Sequence, residues 1–195
     1  LYAVETQAKG PETAVPIDPQ RPADLHYRLP EFDLTLQFRS TDFVQVNQEV
    51  NRQLVSRAVS LLAPTAEDTV LDLFCGLGNF SLAAAARGAR VHGLEGEGAL
   101  VERAATNARA NGVAERADFD VADLSETPLT ELNAARQADK VLLDPPRSGA
   151  VEACKQLVAL GAGRIVYVSC NPATLARDAA VLAHGGYRLV SAGIA

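Results

Sequence analysis

Cys170 is the residue of this sequence whose surroundings best suit a nucleophile. It follows an apolar run at 164–169, which is typical of a buried strand, and it precedes Asn171 and Pro172. Asn is a favoured N-cap and Pro a favoured first helical residue, so a helix is expected to begin here. Because a helix N-terminus stabilises a nearby thiolate, the sequence predicts a reactive cysteine between a strand and a helix.

A carboxylate follows a second strand-like run, in the segment DPPRSG that begins at Asp144. The two prolines fix the backbone and lack N–H donors, so the local carbonyls can face a substrate base. Several methyltransferases that act on planar nitrogen carry Asp-Pro-Pro before an aromatic residue, but here Arg147 follows. Arg147 suits a phosphate beside a target nucleotide, or it is a surface arginine that caps the loop.

The segment LDLFCGLGNF at 71–80 is typical of a nucleoside-binding turn. Gly76 and Gly78 would let a ligand approach the backbone closely. Glu95 lies 19 residues after Gly76, at a distance where an acid can hold the ribose hydroxyls. A tight structural turn without a ligand is the alternative, and Cys75 is expected to pack within the turn.

The choice of cofactor depends on Asp72, Phe74 and Ser81. Ser81 stands where the dinucleotide pattern G-x-G-x-x-G has its third glycine. The pyrophosphate of NAD binds a helix N-terminus and disfavours a nearby carboxylate. The sulfonium and ammonium groups of S-adenosylmethionine instead suit carboxylates and aromatic faces. Asp72 and Phe74 therefore favour S-adenosylmethionine over NAD.

The elements that must position these residues alternate between strands and helices from residue 68 onward. Near-continuously apolar strands in such an alternation indicate a parallel sheet with helices on both faces, which binds ligands beyond the carboxyl ends of its strands. The fold class is thus α/β and Rossmann-like. Strands are expected at 69–74, 90–95, 117–121, 140–144, 164–169 and 187–192, and helices at 80–88, 99–112, 151–160 and 173–186.

An earlier helix is expected to begin after Asn47, a favourable N-cap, and to end before Pro64. Its core-facing stripe is predicted to be Val50, Leu54, Ala58 and Leu61. Residues 1–43 are predicted to form a β-rich segment that includes a strand at 34–38. Residues 44–195 are predicted to form the catalytic domain.

Composition narrows the class of protein. The three cysteines of the 195 residues include no CxxC pair, which argues against a disulfide framework or a zinc site. No apolar run reaches the length of a membrane span. A cytoplasmic monomer without a metal is expected. The net charge of −6 by itself argues against nonspecific nucleic-acid binding, and the absence of Met indicates a fragment.

Four stretches carry a resemblance to a known family: FVQVN, VLDLFCGLGNF, DKVLLDPPRSG and IVYVSCNPATLARD. They resemble the RNA 5-methyluridine methyltransferases, most closely those that modify uracil-C5 in bacterial 23S rRNA and next those that modify tRNA. The resemblance covers roughly residues 25–195. It implies the class I S-adenosylmethionine-dependent methyltransferase fold, S-adenosylmethionine as cofactor and RNA as substrate.

The resemblance also implies roles for particular residues. Cys170 would be the nucleophile, because carbon-5 of uracil attacks a methyl group only after a thiolate has added to carbon-6. The uridine must leave its stack to reach such a site. Asp144, Arg147 and Asn171 would lie on the substrate side, and Cys154 would only pack. The residues expected at the cofactor are Gln45, Phe74, Gly76, Gly78, Asn79, Glu95 at the ribose, Asp123 on the adenine side, and Asp144.

Some family features are expected only outside these 195 residues. They are the glutamate general base, an RNA-binding β-barrel and, in the closest subgroup, a [4Fe-4S] cluster. The chain is therefore expected to bind the cofactor, to turn over poorly and to lack the last strand or strands of its sheet. The open alternatives are a tRNA enzyme, an amino-group RNA methyltransferase and a noncatalytic nucleoside- or RNA-binding module.

Overall fold

A computed structural model describes residues 2–5, 13–16 and 25–194 of the chain. The rest of the predicted β-rich segment, residues 1, 6–12 and 17–24, lies outside the described residues. The strands and helices in the described part are β1 (Tyr2–Glu5), β2 (Thr13–Pro16), β3 (Leu25–Leu29), β4 (Leu34–Phe38), α1 (Gln48–Leu62), β5 (Thr69–Leu73), α2 (Ser81–Ala86), β6 (Arg90–Glu95), α3 (Gly98–Ala110), β7 (Ala117–Val121), α4 (Asn133–Arg136), β8 (Lys140–Leu143), α5 (Val151–Leu160), β9 (Arg164–Tyr167) and α6 (Pro172–His184).

Strands β5 to β9 form one parallel sheet in the order β7-β6-β5-β8-β9. The chain proceeds from β5 outward through β6 and β7, then crosses to the other side of β5 and proceeds through β8 and β9. The order reverses between β5 and β8, and ligands bind at such switch points in open α/β sheets. The predicted Rossmann-like α/β fold is confirmed.

The predicted strand at 187–192 is wrong, because the structure has no strand at 187–194. A strand needs a neighbour to pair its N–H and C=O groups, and β9 is the edge of the sheet in the described part of the chain. Tyr187 is still anchored, since its hydroxyl donates to the carbonyl of Ala162 at 2.9 Å. Beyond it, Leu189 and Val190 are exposed.

Helix α1 begins as predicted but buries a different face. The side chain of Asn47 accepts hydrogen bonds from the N–H groups of Glu49 and Val50, which confirms the N-cap. Of the predicted stripe only Ala58 is fully buried, and Val50 is exposed. The stripe lies about one residue further on, because the polar Asn51 occupies a core-facing position. The buried face of α1 is Asn51, Val55, Ala58, Val59 and Leu62.

The β3–β4 hairpin is fixed to the sheet domain by asparagines of α3. The fully buried amide of Asn107 accepts from the N–H of Gln37 at 2.8 Å and donates to the carbonyls of Gln37 and Leu77 at 3.1 and 3.2 Å. Asn111 makes the corresponding pair of bonds to the backbone of Thr35. The two asparagine side chains thus pair the backbone N–H and C=O groups on the outer edge of β4, as a neighbouring strand would.

The hairpin also contributes Leu29, Leu34 and Leu36 to the same buried cluster as α1 and α2. Residues on both sides of position 43 therefore share one buried cluster. The domain boundary at residue 43 stays a prediction. No helix in the described ranges is long and apolar enough to cross a membrane.

Replacing Asn107 by Ala is expected to lower the free energy of unfolding by about 2–3 kcal/mol, because buried backbone groups of β4 and the glycine turn lose their partners. Urea unfolding followed by circular dichroism measures the change. Glu102→Ala, at an exposed position of α3, is the control and should change stability by less than about 0.5 kcal/mol. Equal losses in the two variants would contradict the role of Asn107.

Candidate functional site

Each strand of the parallel sheet brings one predicted site residue to the same edge. Glu95 ends β6, Asp123 follows β7, Asp144 follows β8 and Cys170 follows β9. Asp72 lies within β5, one residue before that strand ends. Since all strands are parallel, these side chains share the carboxyl edge of the sheet, where the sequence placed the site.

The glycine turn after β5 is bound to the acid at the end of β6. The N–H of Gly76 donates to Glu95 Oε2 at 3.1 Å, and the N–H of Glu97 donates to Oε1 at 3.1 Å. Each carboxylate oxygen keeps a second lone pair for a hydroxyl donor. Gly76 has φ +56°, and a Cβ there would meet no atom within 4 Å, so the space beside the turn is open.

Phe74 adopts a conformation that non-glycine residues rarely take, with φ +62°. Such strained residues persist only where the surroundings hold them, and they cluster at functional sites. Phe74 packs against the buried cluster beneath the carboxyl edge. This backbone conformation of Phe74 turns the chain sharply from β5 into the glycine turn.

Asp72 is a buried carboxylate that is only half satisfied. It accepts a hydrogen bond from the Ser81 hydroxyl, while its Oδ1 atom is buried without a partner. This bond explains the serine at the position of the third glycine. Burial raises the pKa of Asp72 to about 7; the Ser81 hydroxyl opposes that rise, and the charges of Asp144 and Glu95 add to it.

Asp144 is a second carboxylate of the same edge. Its N–H donates to the carbonyl of Leu73 at 3.4 Å, so it lies beside the end of β5. Burial raises the pKa of Asp144 to about 6. Asp72 is buried, and Glu95 and Asp144 are half-buried, so three acidic residues lie close together at this edge. A cationic ligand would relieve this repulsion, whereas an anionic one would increase it.

Asn79 is held by two residues that the sequence patterns did not single out. Its amide exchanges two hydrogen bonds with that of Asn51, at 2.9 and 3.2 Å. The hydroxyl of Tyr27 donates to Asn79 Oδ1 at 2.8 Å. The glycine turn is therefore tied to both α1 and β3. Asn51 is a polar residue on the buried face of α1, but no local sequence pattern indicates its partner Asn79.

Two predicted cofactor residues lie apart from this network. Gln45 is exposed before α1, and no hydrogen bond in the described part of the chain joins it to another predicted site residue. Asp123 is exposed, and its carboxylate accepts from the N–H and hydroxyl of Ser125 at 2.9 and 2.6 Å. The Ser125 hydroxyl and N–H lower the pKa of Asp123. The cofactor roles of Gln45 and Asp123 stay predictions.

Cys170 differs from the other two cysteines. Cys75 and Cys154 are buried, and burial raises the pKa of both thiols, that of Cys154 to about 12. Cys170 is exposed next to the N-terminus of α6. The side chain of Asn171 caps that helix by accepting from the N–H of Ala173 at 3.1 Å. The predicted helix cap after Cys170 is confirmed.

The loop after Asp144 is bound to the helix after Cys170. The carbonyl of Arg147 accepts from Asn171 Nδ2 at 3.1 Å and from the Thr174 hydroxyl at 3.3 Å. The side chain of Arg147 is exposed, which leaves its guanidinium free to meet a phosphate. Asn171 therefore joins the two segments that carry Asp144 and Cys170.

A parallel sheet of this order, with a glycine turn after its first strand and an acid ending the next, is the Rossmann-like arrangement that binds nucleoside-type cofactors. Residues 25–188 match the model of the tRNA (uracil-5-)-methyltransferase family. The chain belongs to this family, which confirms the resemblance of its four motifs.

Relatives and solved structures agree with this placement. The chain is 52% identical over 189 residues to the 23S rRNA (uracil(1939)-C(5))-methyltransferase RlmD of Acidithiobacillus ferrooxidans, covering 96% of this chain and 43% of the relative. It is 56% identical over 187 residues to RlmD of Pseudomonas aeruginosa, covering 95% and 41%. The chain therefore spans less than half the length of these relatives.

One solved structure resembles most of the described fold. The Pyrococcus abyssi tRNA (uracil-54, C5)-methyltransferase, in complex with S-adenosyl-L-homocysteine, superimposes with a TM-score of 0.76 at 30% identity. The match covers 93% of this chain and 43% of that chain. The S-adenosylmethionine-dependent methyltransferase fold is thus established for the described residues.

The buried charge of Asp72 is expected to make stability fall as pH rises. Because its folded pKa lies above the unfolded value of 3.8, the folded state binds the proton more tightly. The stability that this tighter proton binding contributes is fully present below about pH 4 and is lost as the pH rises through 7. The free energy of unfolding of Asp72→Asn, taken relative to wild type, should therefore rise by on the order of 1–3 kcal/mol when the pH is raised from 5 to 8.

Urea unfolding at both pH values measures this difference. Glu115→Gln, at an exposed position, is the control and should show the same small effect at pH 5 and pH 8. A stability difference for Asp72→Asn that did not change with pH would contradict the buried, protonated state of Asp72.

Proposed function

We propose that the carboxyl edge of the sheet binds S-adenosylmethionine. The observation that carries this proposal is the half-satisfied carboxylate of Asp72 beside an open glycine turn. A methyl donor brings a sulfonium and an ammonium group, and both would be attracted to Asp72 and Asp144. The free lone pairs of Glu95 suit the ribose hydroxyls. The solved relative with S-adenosyl-L-homocysteine supports the same ligand class.

When bound, S-adenosylmethionine supplies an activated methyl group. The residues of this chain hold that group and exclude competing ligands. The three carboxylates disfavour a pyrophosphate, so they argue against NAD. Tyr27 and Asn51 hold Asn79, and with it the turn, in the shape that receives the nucleoside. Phe74 and Asp72 lie at the end of β5, where the ligand would pass from ribose to sulfonium.

We further propose that the substrate is a uridine in RNA, methylated at carbon-5. The exposed thiol of Cys170 would add to carbon-6 of a flipped uracil, and carbon-5 would then accept the methyl group. Loss of the carbon-5 proton would release the thiolate. The half-buried Asp144 would contact the base from the opposite loop, and Arg147 would contact a neighbouring phosphate. Cys170 lies next to the capped N-terminus of α6, which is the positive end of that helix dipole.

The RNA is proposed to be 23S rRNA. The relatives at 52% and 56% identity are named for uracil 1939 of 23S rRNA, whereas the tRNA enzyme is 30% identical. The other open alternatives, an amino-group methyltransferase and a noncatalytic module, lack a role for an exposed cysteine at this place. That this chain turns over poorly by itself stays a prediction.

Calorimetric titration tests cofactor binding. S-adenosylhomocysteine is expected to bind, and Glu95→Gln to weaken it by about tenfold, because a charge-assisted hydrogen bond to the ribose is lost. Glu97→Gln is the matched control, an exposed carboxylate two residues away, and should change the affinity by less than about twofold. No heat with the wild-type chain would refute the cofactor assignment.

A 5-fluorouridine RNA tests the covalent step, because fluorine at carbon-5 blocks release of the thiolate. The full-length protein is expected to form an adduct that mass spectrometry maps to Cys170, and Cys170→Ala should abolish it. Cys154→Ala, which removes a buried thiol elsewhere, should still form the adduct. An adduct that persists in Cys170→Ala would place the nucleophile elsewhere.

A further inference from the structure

The loop between Asp144 and α5 is fastened to one face of α6. Its carbonyls at Arg147 and Ser148 accept hydrogen bonds from α6 or its cap, and its N–H at Ala150 donates to α6. The spacing of the α6 partners puts them on one side of that helix. The partners are Asn171, Thr174, Arg177 and Asp178.

Asp178 is the centre of this contact. Its carboxylate is fully buried. Oδ2 accepts from the N–H of Ala150 at 2.6 Å and from the Tyr167 hydroxyl at 2.7 Å. Oδ1 accepts from Arg177 Nε at 2.7 Å, while Arg177 Nη2 reaches the carbonyl of Ser148 at 2.9 Å. One side chain thus joins β9, the loop and α6.

The bonds to Asp178 keep its carboxylate charged. Burial alone would raise the pKa of Asp178, but Arg177, the N–H of Ala150 and the Tyr167 hydroxyl outweigh it and lower the pKa below its usual value. Ala150 lies at the N-cap position of α5 and has no side chain to cap that helix. A carboxylate from α6 therefore meets the positive end of the α5 dipole.

Gly149 shows how closely the loop and α6 approach each other. It has φ +78°, and a Cβ there would lie 2.5 Å from both Asp178 Oδ2 and Arg177 Nη2. Only glycine fits this position without displacing one of them. The close approach at Gly149 therefore restricts the loop to a single position against α6.

We propose that Asp178 is a positioning residue that holds the Asp144 loop and the Cys170 segment in a fixed register for methyl transfer. This role rests on the proposed function. Asp144 stands directly before the loop, and Cys170 stands two residues before α6. Since reacting groups must meet within about 1 Å of their productive geometry, a loop released from α6 would separate the base-binding carboxylate from the nucleophile.

The test uses the full-length protein with Asp178→Asn, which keeps the size of the side chain but lacks one acceptor oxygen. Thr174→Val, which removes the hydroxyl bonds to the carbonyls of Arg147 and Asn171, is a second and milder variant. Asp68→Asn is the matched control. Asp68 is also largely buried, and it accepts from the N–H and hydroxyl of Thr65 and from Lys140, but at the opposite edge of the sheet.

Three quantities are measured below the melting temperature of every variant: the rate of adduct formation with 5-fluorouridine RNA, the affinity for S-adenosylhomocysteine, and hydrogen exchange at the amide of Ala150. Asp178→Asn is expected to slow adduct formation by about tenfold or more and to speed exchange at Ala150. The affinity should stay within about threefold, because the glycine turn is unchanged. Thr174→Val should slow adduct formation less than Asp178→Asn does. Asp68→Asn should change neither the rate of adduct formation nor the exchange at Ala150.

Asp178→Asn with a wild-type adduct rate, or with the same loss as Asp68→Asn, would overturn the positioning role. Unchanged exchange at Ala150 would overturn it as well, since the loop would then not depend on Asp178. A wild-type protein that forms no adduct would instead refute the proposed function, and the role of Asp178 in it would fall for that different reason.

Discussion

The parallel hydrogen-bonded ladder of β5 to β9 is the constraint on which the whole site depends. Parallel strands must all end at the same edge, so residues far apart in sequence meet there without any contact that specifies them individually. Glu95, Asp144 and Cys170 belong to three different strand ends. The interiors of the central strands are mostly apolar because both faces of the sheet are covered, and the charged site residues therefore lie at or near the strand ends. Asp72, one residue before the end of β5, lies furthest inside.

At that edge the protein places charges where water solvates them poorly. Asp72 is buried with one oxygen unpartnered, and Asp144 is largely removed from solvent. Such an arrangement lowers the stability of the free protein, and a cation that enters the crevice would recover part of that loss. The fold thus favours a positively charged ligand by the same burial that raises both pKa values.

The sequence allowed the parallel sheet, the glycine turn and the cap after Cys170 to be predicted, because each depends on local pattern. Periodicity, glycine spacing and the Asn-Pro pair all act within a few residues. Asn51 and Asp178 could not be predicted in this way. Each is a polar residue in an amphipathic helix, and its role depends on a partner 28 residues away in sequence.

The last predicted strand failed for a related reason. An apolar segment such as 187–192 has strand propensity, but a strand also needs a paired neighbour, and propensity does not show whether one is present. The stripe on α1 was displaced because apolar residues alone were counted, whereas Asn51 faces inward to bind Asn79. A prediction that counts only apolar residues therefore misplaces the buried face of a helix where a polar residue of the site faces inward.

A crystal structure of this chain with S-adenosylhomocysteine would test the central claim most directly. We expect the ribose hydroxyls to lie within hydrogen-bonding distance of the Glu95 carboxylate. The amino-acid part of the ligand should lie between the ends of β5 and β8, facing Asp72 and Asp144. A nucleoside bound elsewhere, or one at this edge that leaves Glu95 bonded only to the N–H groups of Gly76 and Glu97, would contradict the central claim.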